Sequence, residues 1–185
     1  MSDLNSFEFA TEQAREGKWA LARIGMIALY VLYCVAWLAA GIATRLIPLV
    51  ALTPVTLWLF IFFTWRYVSV EYEYSITSGE LIFSKIYGGR SRRTRLKMRL
   101  CDARLIAPLD DGEYSARATA YQPEIEFSAI SSLKAPDIYF ILFELEDKKT
   151  GSKKRAIFYF EATALALKVC RFYNQAATVV TKVSR

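Results

Sequence analysis

The stretch that decides the fold runs over residues 24–65. It reads IGMIALYVLYCVAWLAAGIAT, then Arg45, then LIPLVALTPVTLWLFIFFTW, and Arg45 is its one charged residue. A helix needs about 20 apolar residues to cross the roughly 30 Å hydrocarbon core of a bilayer, and each half of the stretch has that length. Because a soluble domain has no reason to run so far without a polar face, the sequence predicts a transmembrane helical hairpin over residues 24–66.

Local features of the stretch predict how the two spans pack. Only Thr44 and Arg45 clearly separate them, so the spans should be antiparallel neighbours. Small residues spaced four apart let two helix backbones approach closely. The first span carries such residues, and we expect them to face the second span: Ala36, Ala39, Ala40, Gly41 and Ala43. Pro54 lies inside the second span and should bend it.

The basic residues near the span ends predict an orientation, because cytoplasmic flanks of membrane spans carry an excess of Lys and Arg. Arg15, Lys18 and Arg23 precede the first span, and Arg66 follows the second. The loop between the spans offers only Arg45. We therefore expect a multi-pass protein of the cell (plasma) membrane with both termini in the cytoplasm.

Residues 1–23 are expected to form a cytoplasmic segment, either a short helix or a loosely ordered tail. The helix alternative depends on Asn5 and Glu8, whose spacing is that of a capping box, and on Gly17 as a place for the helix to end. The sequence leaves both alternatives open.

Composition narrows the chemistry available to the chain. Its 185 residues include no histidine, which removes Ser-His and Cys-His nucleophile pairs and most zinc or iron ligand sets. Cys34, Cys101 and Cys170 are scattered, and an odd, unclustered set argues against a disulfide framework and for a reducing compartment. We therefore expect a protein that is not an enzyme and that uses no cofactor and no metal.

After Arg66 the sequence changes to the alternating pattern that is typical of half-buried strands. Glycine-bearing turns at 78–79 and 88–89 separate the first three strands. A long polar loop is expected between Asp110 and Lys134, with a short strand near 125–127. A closing amphipathic helix should bury Leu165, Val169 and Phe172. The five main strands and the helix are predicted over 68–75, 81–87, 92–100, 137–146, 154–160 and 161–180.

This order of elements resembles a pleckstrin-homology-like (PH-like) domain, in which one helix plugs an open end of a bent antiparallel sheet. The phrase YEYSITSGELIFSKIYGGRSRRTRLKM at 72–98 carries most of the likeness, as strand, glycine turn, strand, glycine turn and basic strand. Over nearly its whole length the chain resembles small bacterial membrane proteins that have two N-terminal transmembrane helices followed by such a domain. The resemblance implies an α+β membrane protein: a helical hairpin, then a PH-like antiparallel sheet or partial barrel over 67–185, capped by a C-terminal helix.

The sharpest functional feature is a run of basic residues on and before the third strand. Alternation along that strand predicts a cationic face at odd-numbered positions and an apolar face at even-numbered ones. One interpretation is binding of anionic headgroups or an anionic partner, since each cation near an anionic leaflet contributes about 1 kcal/mol. The other is a solvated edge strand whose charges prevent aggregation. The candidate site residues are Arg90, Arg92, Arg93, Arg95, Lys97 and Arg99.

Two functions follow from these features. The first is a membrane-anchored, non-enzymatic binding module that presents the basic strand to anionic lipid headgroups or to a protein partner. The alternative is a small structural or accessory subunit of a larger membrane complex, with an integral-membrane partner or a second copy of this chain. Nucleic acid would suit the net charge of +6, but the membrane tether and the lack of a recognised reading motif argue against it.

Overall fold

The structure of the protein is a computed structural model that describes residues 6–14, 17–45, 47–132, 134–146, 151–181 and 183–184. The chain divides into two compact units, each assembled from separate parts of the sequence. The β unit comprises Met1–Gln13, Glu71–Ile86 and Arg92–Arg185, and the helical unit comprises Ala14–Val70 and Tyr87–Ser91.

The first sheet of the β unit has four strands in the order β1-β2-β3-β4. β2, β3 and β4 are the three strands predicted after residue 66, with ends that differ by one or two residues. The strands are β1 Ser6–Glu12, β2 Val70–Thr77, β3 Glu80–Tyr87 and β4 Ser91–Arg99.

β1 replaces the helix or tail that was predicted for the start of the chain. It runs antiparallel to β2, with Phe7 opposite Ile76 and Glu12 opposite Glu71. Phe7 is buried and its ring lies 5.8 Å from that of Tyr74. The helix interpretation is therefore wrong for residues 6–12, because pairing with a strand far along the chain decides their conformation. Asn5, on which the capping box depended, lies outside the described residues.

Along the sequence, the helical unit therefore lies between two strands that pair with each other, β1 and β2. Because Glu12 and Glu71 are partners, the chain leaves the first sheet and returns to it at adjacent positions. The β unit thus includes a strand that precedes the helices, whereas the sequence placed its beginning at residue 67.

The second sheet has the order β5-β7-β8-β6 and is mixed rather than purely antiparallel. β6 runs parallel to β8, while β5 and β8 run antiparallel to β7. Phe158 and Phe160 stack on each other and contact Tyr74 of the first sheet, with ring centroids 6.3 Å and 5.4 Å away, so the two sheets share one core. The strands are β5 Leu105–Pro108, β6 Ile125–Ala129, β7 Ile138–Glu146 and β8 Lys153–Glu161.

A helix, not a loop, fills the first part of the predicted polar segment. α4 begins at Gly112 and ends at Tyr121, and the Asp111 carboxylate caps it by accepting from the Glu113 N–H at 3.0 Å. Tyr114, Ala118 and Tyr121 face one way, and all three contribute to a cluster on the outer face of the second sheet. The short strand predicted near 125–127 is confirmed as β6.

The closing helix α5 spans Ala164–Tyr173 and is shorter than predicted. It buries Ala166, Leu167, Val169 and Cys170. Of the expected apolar face, Val169 is buried, whereas Leu165 and Phe172 are exposed. That prediction was wrong because the buried face of α5, which lies against β1 and the turn at Leu100–Asp102, is centred on Ala166, Val169 and Cys170 and leaves Leu165 and Phe172 outside it.

The helical unit contains α1 Gly17–Thr44, α2 Ile47–Ala51 and α3 Thr53–Thr64, followed by a single 3-10 turn, Trp65–Tyr67. In the described part of the chain, one helix is long and apolar enough to cross a membrane, the segment Trp19–Thr44 of α1. The second predicted span is interrupted at Leu52, close to Pro54, which cannot donate a backbone hydrogen bond.

Specific side-chain contacts join α1 to α2 and α3. A Cβ atom on Gly41 would overlap the side chain of Val50, so glycine is required at that crossing. Tyr30 is buried, and its hydroxyl shares a 2.7 Å hydrogen bond with the Thr64 hydroxyl. The four alanines that were expected to join Gly41 in this contact are exposed, so that prediction was wrong for them: Ala36, Ala39, Ala40 and Ala43.

Candidate functional site

The structure divides the six predicted basic residues among different surroundings. Arg90 lies in the β3–β4 turn, which belongs to the helical unit, while the other five lie on β4. Leu96 and Met98 are buried and Lys97 and Arg99 are exposed, so the predicted alternation is confirmed for this end of the strand. Toward the start of β4, Arg92 and its neighbours are all exposed and no apolar face exists.

Arg92 has a structural role. Its guanidinium forms an ion pair with the carboxylate of Glu73 on β2, whose side chain is only 7% exposed. Burial raises the pKa of Glu73, and a hydrogen bond with the Glu8 side chain raises it further, whereas the charge of Arg92 opposes both effects. Because a buried carboxylate without a partner is costly, Arg92 compensates Glu73 rather than presenting a free charge to a ligand.

Arg95 and Lys97 line a cleft of about 500 Å³ in the β unit, which we term the cationic cleft. Its residues come from β4, from the start of β6 and from the facing ends of β7 and β8. Three of them are cationic, Glu146 is the one acidic residue among them, and three are apolar. The cationic cleft is lined by Thr94, Arg95, Leu96, Lys97, Ile125, Leu145, Glu146 and Lys154.

Two features of the cationic cleft bear on what it could hold. β4 and β6 are edge strands of their respective sheets, so each contributes an edge that pairs with no further strand among the described residues. The ammonium group of Lys97 lies 3.0 Å from the carboxylate of Glu80, and both side chains remain substantially exposed. The cleft is therefore bordered by two edge strands and combines cationic side chains with an apolar lining.

Arg93 and Arg99 do not join the cationic cleft. Arg93 is exposed on β4, and Arg99 lies in a separate hollow of about 300 Å³ that Glu80, Cys101 and Tyr173 also line. The structure thus brings together two of the six predicted residues, Arg95 and Lys97.

Sequence reasoning missed Lys154, which completes the cationic cleft. Lys154 lies on β8, far along the chain from β4, and it comes into the cleft only through the packing of the two sheets. The basic run at residues 153–155 was the available signal.

The free cysteines differ in exposure, and Cys170 on α5 is buried. Burial raises the pKa of the Cys170 thiol to about 12, which keeps it in the unreactive protonated form. The described residues contain no group of three or more His, Cys, Asp or Glu side chains placed to hold a metal ion.

Two facing β-sheets with a C-terminal helix define the class to which the β unit belongs, that of PH-like domains. The family model described as the bacterial PH-like domain (DUF6106) matches residues 7–174, and the chain belongs to this family. The match begins within β1 and extends past α5, so the family region includes the helical unit as well as the sheets. No curated protein and no solved structure matches the chain.

The PH-like part of the expected resemblance is confirmed by this match. The expected pair of transmembrane helices is not supported, because only α1 among the described residues meets the length and hydropathy of a span.

Proposed function

We propose that this protein is a membrane-anchored, non-enzymatic binding module whose cationic cleft holds an extended acidic segment of a partner protein. The observation that carries the proposal is the placement of Arg95, Lys97 and Lys154 around a cleft that the edge strands β4 and β6 border. The membrane anchor, the orientation and the ligand each have separate support.

Membrane anchoring is supported by the surface of the helical unit. Large apolar side chains lie on its outside: Leu32 is 65% exposed, Ile42 76% and Trp58 61%. Soluble proteins rarely expose contiguous apolar surface on this scale, whereas hydrocarbon accommodates it. The helical unit therefore needs an apolar environment around it.

Two crossings are proposed, although α1 alone meets the requirements of a span. The chain leaves and re-enters the first sheet at the paired residues Glu12 and Glu71, so both ends of the helical unit lie on one side of the membrane. An even number of crossings follows. α2 and α3 together cover residues 47–64, about 27 Å at 1.5 Å per residue, which is close to the thickness of the hydrocarbon core.

A cytoplasmic β unit is proposed from the basic residues of the helical unit. Arg23 and Arg66 lie near the two ends that connect to the β unit, and Arg45 lies at the opposite end. Arg23 donates from Nε to the carbonyl of Val68 at 3.0 Å, which brings the start of α1 beside the residues that follow α3. Arg15 and the side chain of Lys18 lie outside the described residues.

Cys101 offers a direct test of orientation, because it is exposed on the β unit while Cys170 is buried. A membrane-impermeant maleimide should leave the protein unlabelled in intact cells and label it in inside-out vesicles. The Cys101→Ser variant should lose that labelling. Labelling of Cys101 in intact cells would contradict a cytoplasmic β unit.

A protein ligand suits the cationic cleft better than a lipid surface does. A flat leaflet needs a flat cationic face, whereas Arg95, Lys97 and Lys154 surround a cleft and Arg92 is already paired with Glu73. An extended peptide can add to an exposed sheet edge through main-chain hydrogen bonds, with its side chains read by the surrounding groups. Cationic side chains at such an edge favour an acidic segment.

The test uses the full chain in neutral phosphatidylcholine nanodiscs and a fluorescent peptide of alternating Glu and Val, with a Lys–Val peptide as the specificity control. Arg95→Gln with Lys154→Gln should weaken binding of the acidic peptide about tenfold. Arg93→Gln with Arg99→Gln removes the same charge from outside the cleft and should change the dissociation constant less than twofold.

Two outcomes would overturn the proposal. Equal weakening by both double variants would mean that overall charge, not the cleft, attracts the peptide. Binding of added anionic vesicles without binding of the acidic peptide would make β4 a lipid-binding surface instead.

The alternative function, an accessory subunit of a larger membrane complex, is favoured by one observation. Ala36, Ala39, Ala40 and Ala43 are exposed on α1, and small residues at this spacing suit close contact with another helix. A partner that copurifies stoichiometrically in mild detergent, and is lost on Ala40→Leu, would support it. Purification of the chain alone under those conditions would count against it.

A further inference from the structure

A second basic site lies within the helical unit, in a crevice of about 430 Å³ where α3 ends. One wall is aromatic and aliphatic and belongs to α3 and the turn that follows it. The other wall is the β3–β4 turn. The headgroup crevice, as we term it, is lined by Trp58, Ile61, Phe62, Trp65, Arg66, Tyr87, Gly88, Arg90 and Ser91.

Gly88 allows the two walls to meet. Its backbone N–H donates to the carbonyl of Ser69 at 2.7 Å, which ties the turn to the segment after α3. Gly88 has φ of +59°, and a Cβ atom there would lie 2.9 Å from the Cβ of Arg66. A side chain at this position would push Arg66 and the turn apart, so glycine fixes the spacing of the crevice.

Both arginines of the headgroup crevice rest on aromatic rings. The guanidinium of Arg90 lies 4.3 Å from the ring centroid of Phe62, and that of Arg66 lies 4.9 Å from the ring centroid of Tyr67. Arg66 also donates to the Tyr67 hydroxyl at 2.8 Å. A guanidinium that stacks through its face keeps in-plane N–H groups for a planar or tetrahedral anion, which is the usual geometry of phosphate recognition.

In the described part of the helical unit, no carboxylate balances these two charges. That described part consists of residues 14, 17–45, 47–70 and 87–91, and it contains no Asp or Glu. Arg66 and Arg90 therefore both line a crevice with apolar walls, in contrast to Arg92, which is paired with Glu73. Basic pockets among membrane helices on the cytoplasmic side are typical binding places for phospholipid headgroups.

We propose that the headgroup crevice binds one anionic phospholipid, with Arg66 and Arg90 holding its phosphate and with Trp58 and Phe62 contacting its acyl chain. The apolar wall, on which Trp58 is largely exposed, favours a lipid over free phosphate. The inference goes beyond the proposed peptide site. It rests on the membrane placement above but not on the cationic cleft.

The test uses the full chain purified in a non-ionic detergent, with phosphatidylglycerol or phosphatidylcholine added and bound lipid counted by native mass spectrometry. The wild type should retain one phosphatidylglycerol molecule in preference to phosphatidylcholine. Arg66→Gln with Arg90→Gln should lower that retention about tenfold. Arg45→Gln with Arg93→Gln removes two guanidinium groups elsewhere and should leave retention unchanged.

Two further measurements keep the result interpretable if the double variant folds poorly. Arg66→Lys with Arg90→Lys keeps the charge but loses the forked geometry, and its retention should lie between wild type and the Gln variant. Dibrominated phosphatidylglycerol should quench tryptophan fluorescence more than dibrominated phosphatidylcholine does, because Trp58 and Trp65 line the crevice.

Several outcomes would overturn the inference. They are equal retention of both lipids, retention unchanged in the Arg66 and Arg90 variants, or displacement of phosphatidylglycerol by millimolar inorganic phosphate. Extraction of the wild type without detergent would contradict the proposed membrane placement, and this inference would fail with it. A protein that requires detergent yet retains no lipid would defeat this inference alone.

Discussion

The cationic cleft and the headgroup crevice are both basic, but they differ in how their charges are compensated. In the cationic cleft, Lys97 is paired with Glu80, and outside the cleft on the same strand Arg92 is paired with Glu73. In the described part of the helical unit, Arg66 and Arg90 have aromatic rings beside them and no carboxylate. A run of basic residues in one stretch of sequence therefore serves at least two purposes, and the neighbours of each cation decide which.

The largest expected loss of stability tests whether Gly88 fixes the shape of the headgroup crevice. Gly88→Ala should lower stability by about 2 kcal/mol or more, because the left-handed conformation costs a side chain about 1–2 kcal/mol and the new Cβ meets Arg66. Thermal unfolding of the full chain in detergent measures the change, and retention of phosphatidylglycerol should fall with it.

Gly89→Ala is the matched control for Gly88→Ala. Gly89 has φ of +66°, but a Cβ atom there would meet nothing within 4 Å. This variant should incur only the conformational cost and keep its lipid. Equal losses of stability and lipid in both variants would show that contact with Arg66 is irrelevant.

A smaller loss of stability is expected when a cation that compensates a buried carboxylate is removed. Arg92→Ala leaves Glu73 without its partner and should cost about 1–2 kcal/mol, less than a fully buried pair because Arg92 is half exposed. Arg93→Ala, its exposed neighbour, should change stability by less than about 0.5 kcal/mol. Similar melting temperatures for the two variants would contradict the structural role assigned to Arg92.

The next effect is a dependence of stability on pH that arises from Glu73. Burial raises the pKa of Glu73 above its ordinary value of 4.5, and the Glu8 hydrogen bond adds to this. The folded chain then binds this proton more tightly than the unfolded chain does, so the contribution is present below pH 4.5 and is lost as the pH rises through the raised pKa. Glu73→Gln should lose less stability than wild type between pH 4 and pH 7. Parallel pH profiles would exclude this linkage.

The sequence predicted those strands whose conformation follows from the residue pattern within the strand itself. Alternating residues indicated β2, β3 and β4, and the basic strand was found within one residue of its true ends. β1 was missed because its conformation depends on pairing between Glu12 and Glu71, which no local pattern reveals. α4 was missed although Tyr114, Ala118 and Tyr121 carried a helical spacing that the polar composition around them obscured.

The candidate site was harder to predict than the fold, because its chemistry depends on contacts between distant segments. The sequence identified Arg95 and Lys97, but only the packing of the two sheets adds Lys154. The sequence also predicted Arg92 as a ligand-binding residue. In the folded sheet, however, Arg92 forms an ion pair with Glu73. Charge compensation is a property of neighbours in space, so a run of cations alone could not separate the two sites.

The most direct test of the account measures both ligands on both double variants in the full chain. Arg95→Gln with Lys154→Gln should weaken the acidic peptide about tenfold and leave retention of phosphatidylglycerol intact. Arg66→Gln with Arg90→Gln should do the reverse. If both ligands weaken together in either variant, the basic residues act as one diffuse charge, and the division into two sites is wrong.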